Sequence, residues 1–169
     1  MADSFKVARG IEAPDLNGIH EAYSVQQTPD GYTLLLANVS FENIAATFLG
    51  LIEQVQYPGY FVVEVNRSDN AAPQNTTGTE APKSDVFYLD GISIEQAKAV
   101  YSRYETNLLQ DGGVSFGVGS HAFRDEVFVA PYKLFHIHAD DAAKYVAALG
   151  KLGFRRDPVE CLHRPRTAR

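Results

Sequence analysis

Three stretches of the chain share one plan: "LLLANVSFENIAATF" (34–48), "VFYLDGISIEQAKAV" (86–100) and "LFHIHADDAAKYVAAL" (134–149). Each opens with a β-like apolar run, passes through a short polar turn, and continues with apolar residues at helical spacing. A strand followed by an amphipathic helix cannot bury its apolar face alone. Three such units therefore predict a layered α/β arrangement around one core, without a true sequence repeat.

The details of each unit set the expected elements. Tyr32–Val39 is nearly continuous in apolar residues, as a central strand requires. Ser40 is the expected N-cap of a helix whose buried face is Ile44, Phe48, Leu51, Ile52 and Val55. "FVVEV" (61–65) and "VFYL" (86–89) read as the second and third strands. Ser93-x-x-Gln96 predicts a capping box, and Ala97, Val100, Tyr101, Tyr104 and Leu108 form the stripe behind it. "VSFGV" (114–118), Asp125–Ala130 and "YKLFHIH" (132–138) add three strands. Asp140 or Asp141 then caps a last helix carrying Tyr145, Val146 and Leu149 and stopping at Gly150.

The order β-α-β, loop, β-α-β, β-β-α predicts an α+β fold. Its expected form is a ferredoxin-like split βαβ core, a mixed or antiparallel sheet with helices on one face, plus a C-terminal β-β-α addition. A doubly wound α/β sheet is the alternative. At 169 residues a single domain, 1–169, is expected. Residues 1–30 read as irregular around the turn clusters "APDLNG" and "TPDG". Residues 66–84 are almost free of large apolar side chains and read as a long surface loop.

Charge narrows the function classes. The net charge is −6, yet the tail 155–169 holds five Arg against Asp157 and Glu160, a net +3, leaving −9 on the body. An acidic body argues against nucleic acid, whose phosphates need a basic field. No apolar run approaches membrane-spanning length, and "MADSFKVARG" has no secretory h-region, so a cytoplasmic protein without membrane contact is expected. The single cysteine, Cys161, permits no internal disulfide.

Four features carry candidate chemistry. Gly117-x-Gly119-x-x-Ala122 has dinucleotide-turn spacing, but "FRDEVFVAP" after it favours a strand over the required helix, so the stretch reads as a hairpin with no cofactor. His136 and His138 alternate on a strand, share a face, and could hold a divalent metal with a third ligand from His121, Glu64, Asp140, Cys161 or His163. His121, Arg124, Asp125 and Glu126 form a charged turn suited to binding. Glu64 stands as a lone acid between valines.

The favoured functional expectation is a non-enzymatic binding or regulatory module that contacts another protein. A bacterial toxin-neutralising, immunity-type partner with an acidic face is one concrete form. A metal-dependent enzyme or metal binder using His136 and His138 is one alternative. A small-ligand sensor, with its pocket between the open sheet face and residues 1–30, is another. Pairing into a homodimer is expected where an apolar sheet face is left uncovered.

Overall fold

The computed structural model describes residues 6–8, 19–66 and 84–157. The chain is α+β: the described residues form an eight-stranded mixed sheet with three α-helices. In chain order the elements are β1 (Ala22–Gln27), β2 (Thr33–Asn38), α1 (Ile44–Ile52), β3 (Gly59–Asn66), β4 (Ser84–Ile92) and α2 (Ile94–Gln110). There follow β5 (Val114–Ser120), β6 (Glu126–Val129), β7 (Phe135–Ala139), α3 (Ala142–Lys151) and the two-residue β8 (Arg155–Arg156). The sheet runs β4-β3-β5-β6-β7-β2-β1-β8, and every pair is antiparallel except β1 with β8.

Local signals explain most boundaries. Ser93 and Gln96 form the expected capping box: the Gln96 N–H donates to Ser93 Oγ, and the Ser93 N–H to Gln96 Oε1. Replacing Ser93 with Ala is expected to cost about 1 kcal/mol, read as a lower denaturant midpoint at constant m-value. Asp141, one of the two aspartates named, caps α3 by accepting from the Ala143 N–H. Ser40 does not cap α1. A 3-10 turn over Phe41–Asn43 intervenes, and the Ser40 hydroxyl accepts from the Lys6 N–H.

Period-two alternation fixes one face of the sheet. Across the strands, Ala37, Phe135, Val129, Phe116 and Val63 lie in one row, and Leu35, Ile137, Val127, Val118 and Phe61 in the next. Nearly all are fully buried, under Phe48 of α1, Tyr101 and Leu108 of α2, and Tyr145 and Leu149 of α3. Phe48 is central, with ring contacts to Phe61, Tyr101 and Phe116. Because α1 touches both α2 and α3, the helices form one layer on one face, and the doubly wound alternative is not what the chain adopts.

The strand order departs from the ferredoxin-like expectation. The β4-α2-β5 unit is split as foreseen, its parallel strands flanking β3. In contrast, β2 and β3 are separated by β5, β6 and β7. The expected C-terminal addition is instead the middle of the sheet. Val127, Val129, Phe135 and Ile137 have no exposed surface, and strands buried that deeply need pairing on both edges.

Residues 1–30, read as irregular, contain β1, which forms a hairpin with β2 across Thr28–Tyr32; Gly31 supplies the positive φ of 84° that this turn needs. The predicted loop 66–84 has strand residues at its ends, Asn66 opposite Ser84, and 67–83 lies outside the described residues. Arg155–Arg156, assigned to the tail, forms β8, and residues 158–169 lie outside the described residues. No helix among the described residues is long and apolar enough to cross a membrane.

Candidate functional site

Among the described residues no helix or strand covers the face opposite the helices, and this face gathers polar residues of the sheet. One cross-strand row reads Leu34, His138, Glu126, Gly119, Tyr60, Asp90. The next reads Leu36, His136, Phe128, Gly117, Val62, Tyr88. The shared face expected for His136 and His138 is therefore real.

Gly117 and Gly119 make room for rings. A Cβ on Gly119 would stand 2.3 Å from Tyr60 Oη, and one on Gly117 would stand 2.7 Å from the Phe128 ring. The glycine motif is thus strand floor beneath aromatic rings, and residues 114–129 form the expected hairpin. Seated on Gly119, the Tyr60 hydroxyl donates to Glu126 Oε2 at 2.5 Å. Burial and the Glu126 carboxylate raise the Tyr60 pKa well above its ordinary 10.0, so the phenol stays a donor.

The charged turn is spread over several partners. His121 pairs with Asp90 of β4, which holds the Asp90 carboxyl below its ordinary range, and its ring lies 5.2 Å from Tyr60. Asp125 is buried and paired with Lys144 of α3. The Arg124 backbone N–H donates to Asp140 Oδ2 at 3.1 Å, and its Nη1 donates to the Asp30 carbonyl at 3.2 Å. Arg124 and Glu126, with His138, Tyr32, Tyr60 and Phe123, line a cavity of about 260 Å³. The Tyr32 ring packs 5.4 Å from that of His138.

His136 is half-buried, and its pKa falls below the ordinary 6.5 through burial first and the neighbouring His138 second, against an opposing pull from Glu126. The unfolded chain then binds more protons, so the stability held by neutral His136 is present above 6.5 and lost as pH falls below it. Denaturant midpoints measured on both sides of this value should fall toward acid, and less steeply for His136→Gln. Among the described residues no group of three or more His, Cys, Asp and Glu is placed to hold a metal ion. His121 is engaged with Asp90, and Glu64 lies opposite Ser115 and Val86. Cys161 and His163 lie outside the described residues.

A second surface escaped sequence reasoning. β4 is an edge strand, and four consecutive side chains on it are exposed: Val86 (44%), Phe87 (60%), Tyr88 (67%) and Leu89 (48%). Beside them, α2 leaves an apolar groove of about 580 Å³ walled by Val63, Phe87, Val100, Tyr104 and Leu108. "VFYL" was readable as a strand, but its place at the edge of the sheet was not. The available signal was the apolar run itself, directly after a stretch with almost none.

Comparison with protein-family models, with curated proteins and with solved structures gives no match.

Proposed function

We propose that the chain is a non-enzymatic protein-binding module that docks by strand addition at the edge of β4, which has no pairing strand among the described residues, and that the partner occupying this edge is a second copy. The supporting observation is the exposed run Val86–Leu89 on an edge strand. Such edges are normally blunted by Lys, Pro or an inward charge. Between Asp85 and Asp90, β4 has none of these.

The strand is also compatible with itself. Two copies pairing antiparallel about an axis normal to the sheet keep their faces matched, so even-numbered residues oppose even and odd oppose odd. Phe87 then meets Phe87 or Leu89 of the second copy, and Tyr88 meets Tyr88 or Val86. The same parity forbids Asp85 from directly facing Asp90. The exposed apolar side chains of β4, with Val65 and Tyr104 beside the groove, present on the order of 500 Å² per chain, so about 1,000 Å², the threshold for a specific interface, is the most that a symmetric pair can remove.

Mass measured by light scattering or sedimentation should be that of two chains at concentrations up to about 100 µM. Phe87→Lys and Tyr88→Lys, which place a charge on either face of the edge, should each weaken association about a hundredfold or more and leave the circular dichroism unchanged. A wild-type chain that stays monomeric over that range would overturn self-pairing. A basic heterologous partner, as in the immunity-type form, would then be the competing occupant.

A further inference from the structure

We infer that the cavity between the β5–β6 loop and the β1–β2 turn is a binding site for a small zwitterion, namely a free α-amino acid with an apolar or aromatic side chain. This inference is independent of the β4 edge.

Two ionised groups of opposite sign face this cavity and do not pair with each other. Glu126 takes a hydrogen bond from Tyr60 through Oε2 and, among the described residues, meets no cation within ion-pair distance. The Arg124 side chain donates to a backbone carbonyl, that of Asp30, and among the described residues meets no carboxylate. Other charged groups of the chain have found partners: His121 with Asp90, Lys144 with Asp125, Lys98 with Glu53. A cavity that holds a carboxylate and a guanidinium apart matches a ligand carrying an ammonium and a carboxylate on one small frame.

The walls set the rest of the ligand. Tyr32, Tyr60 and Phe123 come from three separate parts of the chain. They supply apolar surface for a side chain and ring faces that favour an ammonium. Tyr60 and Glu126 are held as a unit, since Tyr60 rests on Gly119 and donates to the carboxylate. The ligand ammonium is assigned to Glu126 and its carboxylate to Arg124, with His138 beside Glu126 as a second polar contact. At about 260 Å³ the cavity suits a single amino acid and is smaller than the usual site for a nucleotide or a drug-sized molecule.

The test is a ¹⁵N-resolved NMR titration of the full chain with L-phenylalanine and L-leucine, paired with 3-phenylpropionate, which lacks the ammonium, and phenethylamine, which lacks the carboxylate. The amino acids should shift the amide signals of Gly119, Ser120 and His138 saturably, and each control should bind at least about tenfold more weakly. Glu126→Gln keeps an acceptor for Tyr60, so the fold is retained while the charge is lost, and this variant should lose about tenfold or more in affinity. Arg124→Gln should do the same. The proposal is overturned if neither amino acid shifts these signals at millimolar concentration, if the single-charge controls bind equally well, or if both variants bind as the wild type does.

Discussion

Replacing Lys133 with Met is expected to destabilise the chain by about 3 kcal/mol, a large share of the 5–15 kcal/mol available to a typical domain. Lys133 is only 3% exposed. Its ammonium donates to the carbonyls of Leu108 (2.8 Å), Asp111 (2.8 Å) and Val114 (2.6 Å). The last carbonyls of a helix have no partner within it, and the last turn of α2 has no basic residue of its own. Lys133 supplies the missing donors from the segment before β7, and it also stands over the Phe116 ring. Burial draws its pKa down to about 8, which still leaves the amine charged at neutral pH.

Met preserves the apolar stem and removes the three donors, so the loss measures the clamp and not the packing. The neighbouring Tyr132 provides the control. It is exposed and sits at φ 65°, a left-handed conformation that Gly adopts without strain. Tyr132→Gly is expected to change stability by less than about 1 kcal/mol, because relief of strain offsets the added backbone entropy. Urea unfolding of both variants checks the pair. A Lys133→Met loss no larger than that of Tyr132→Gly would mean that water serves the carbonyls equally well.

Gly59→Ala is the second substitution with a large expected effect, about 3 kcal/mol or more. A Cβ at Gly59 would stand 2.2 Å from the Gly119 carbonyl oxygen. The obstacle is backbone in the neighbouring strand, so no side-chain rotation relieves it, and β3 must move away from β5. Gly150→Ala should have the opposite sign. Gly150 lies inside α3 with nothing within 4 Å of an added Cβ, so Ala is expected to stabilise by about 0.5–1 kcal/mol. Thermal and denaturant unfolding of the two variants would show a loss and a gain, and a neutral Gly59→Ala would contradict the close approach of β3 and β5. The same displacement would pull Tyr60 from Glu126, so Gly59→Ala should also weaken the open-face cavity.

Much of the local structure could be read before any coordinates, because its causes are local. The Ser93–Gln96 box, the buried positions Ala97, Tyr101 and Leu108 of α2, and the alternation of His136 and His138 all depend on residues a few positions apart, whereas Tyr104, expected in the same buried stripe, is 48% exposed beside the β4 groove. The β1 hairpin was obscured because "AYSVQQ" has weak apolar character and earns its pairing from β2. Sheet order was hidden for a different reason: which strand lies beside which is decided by contacts such as Leu35 with Ile137, a hundred residues apart. The candidate site follows the same division. Glu126 was picked out by its charged turn, but its partner Tyr60 lies 66 residues away and carries no motif.

The position of β6 and β7 in the sheet governs the order in which the chain can become a single body. Among the described strands, one half of the sheet, β4-β3-β5, and the other, β2-β1, are hydrogen-bonded to each other through these two strands. During synthesis β2 has β1 on one side and nothing on the other until Phe135–Ala139 has emerged. Folding must therefore wait for closure of a loop about a hundred residues long, which places the chain among slow, high-contact-order folders. A ribosome-stalled chain ending before Phe135 would carry two sheet fragments not yet hydrogen-bonded to each other, bridged only by the packing of α1, and each would show an apolar edge to chaperones. The centre of the sheet is thus delivered after the strands on both sides of it, with only α3 and the short β8 still to follow.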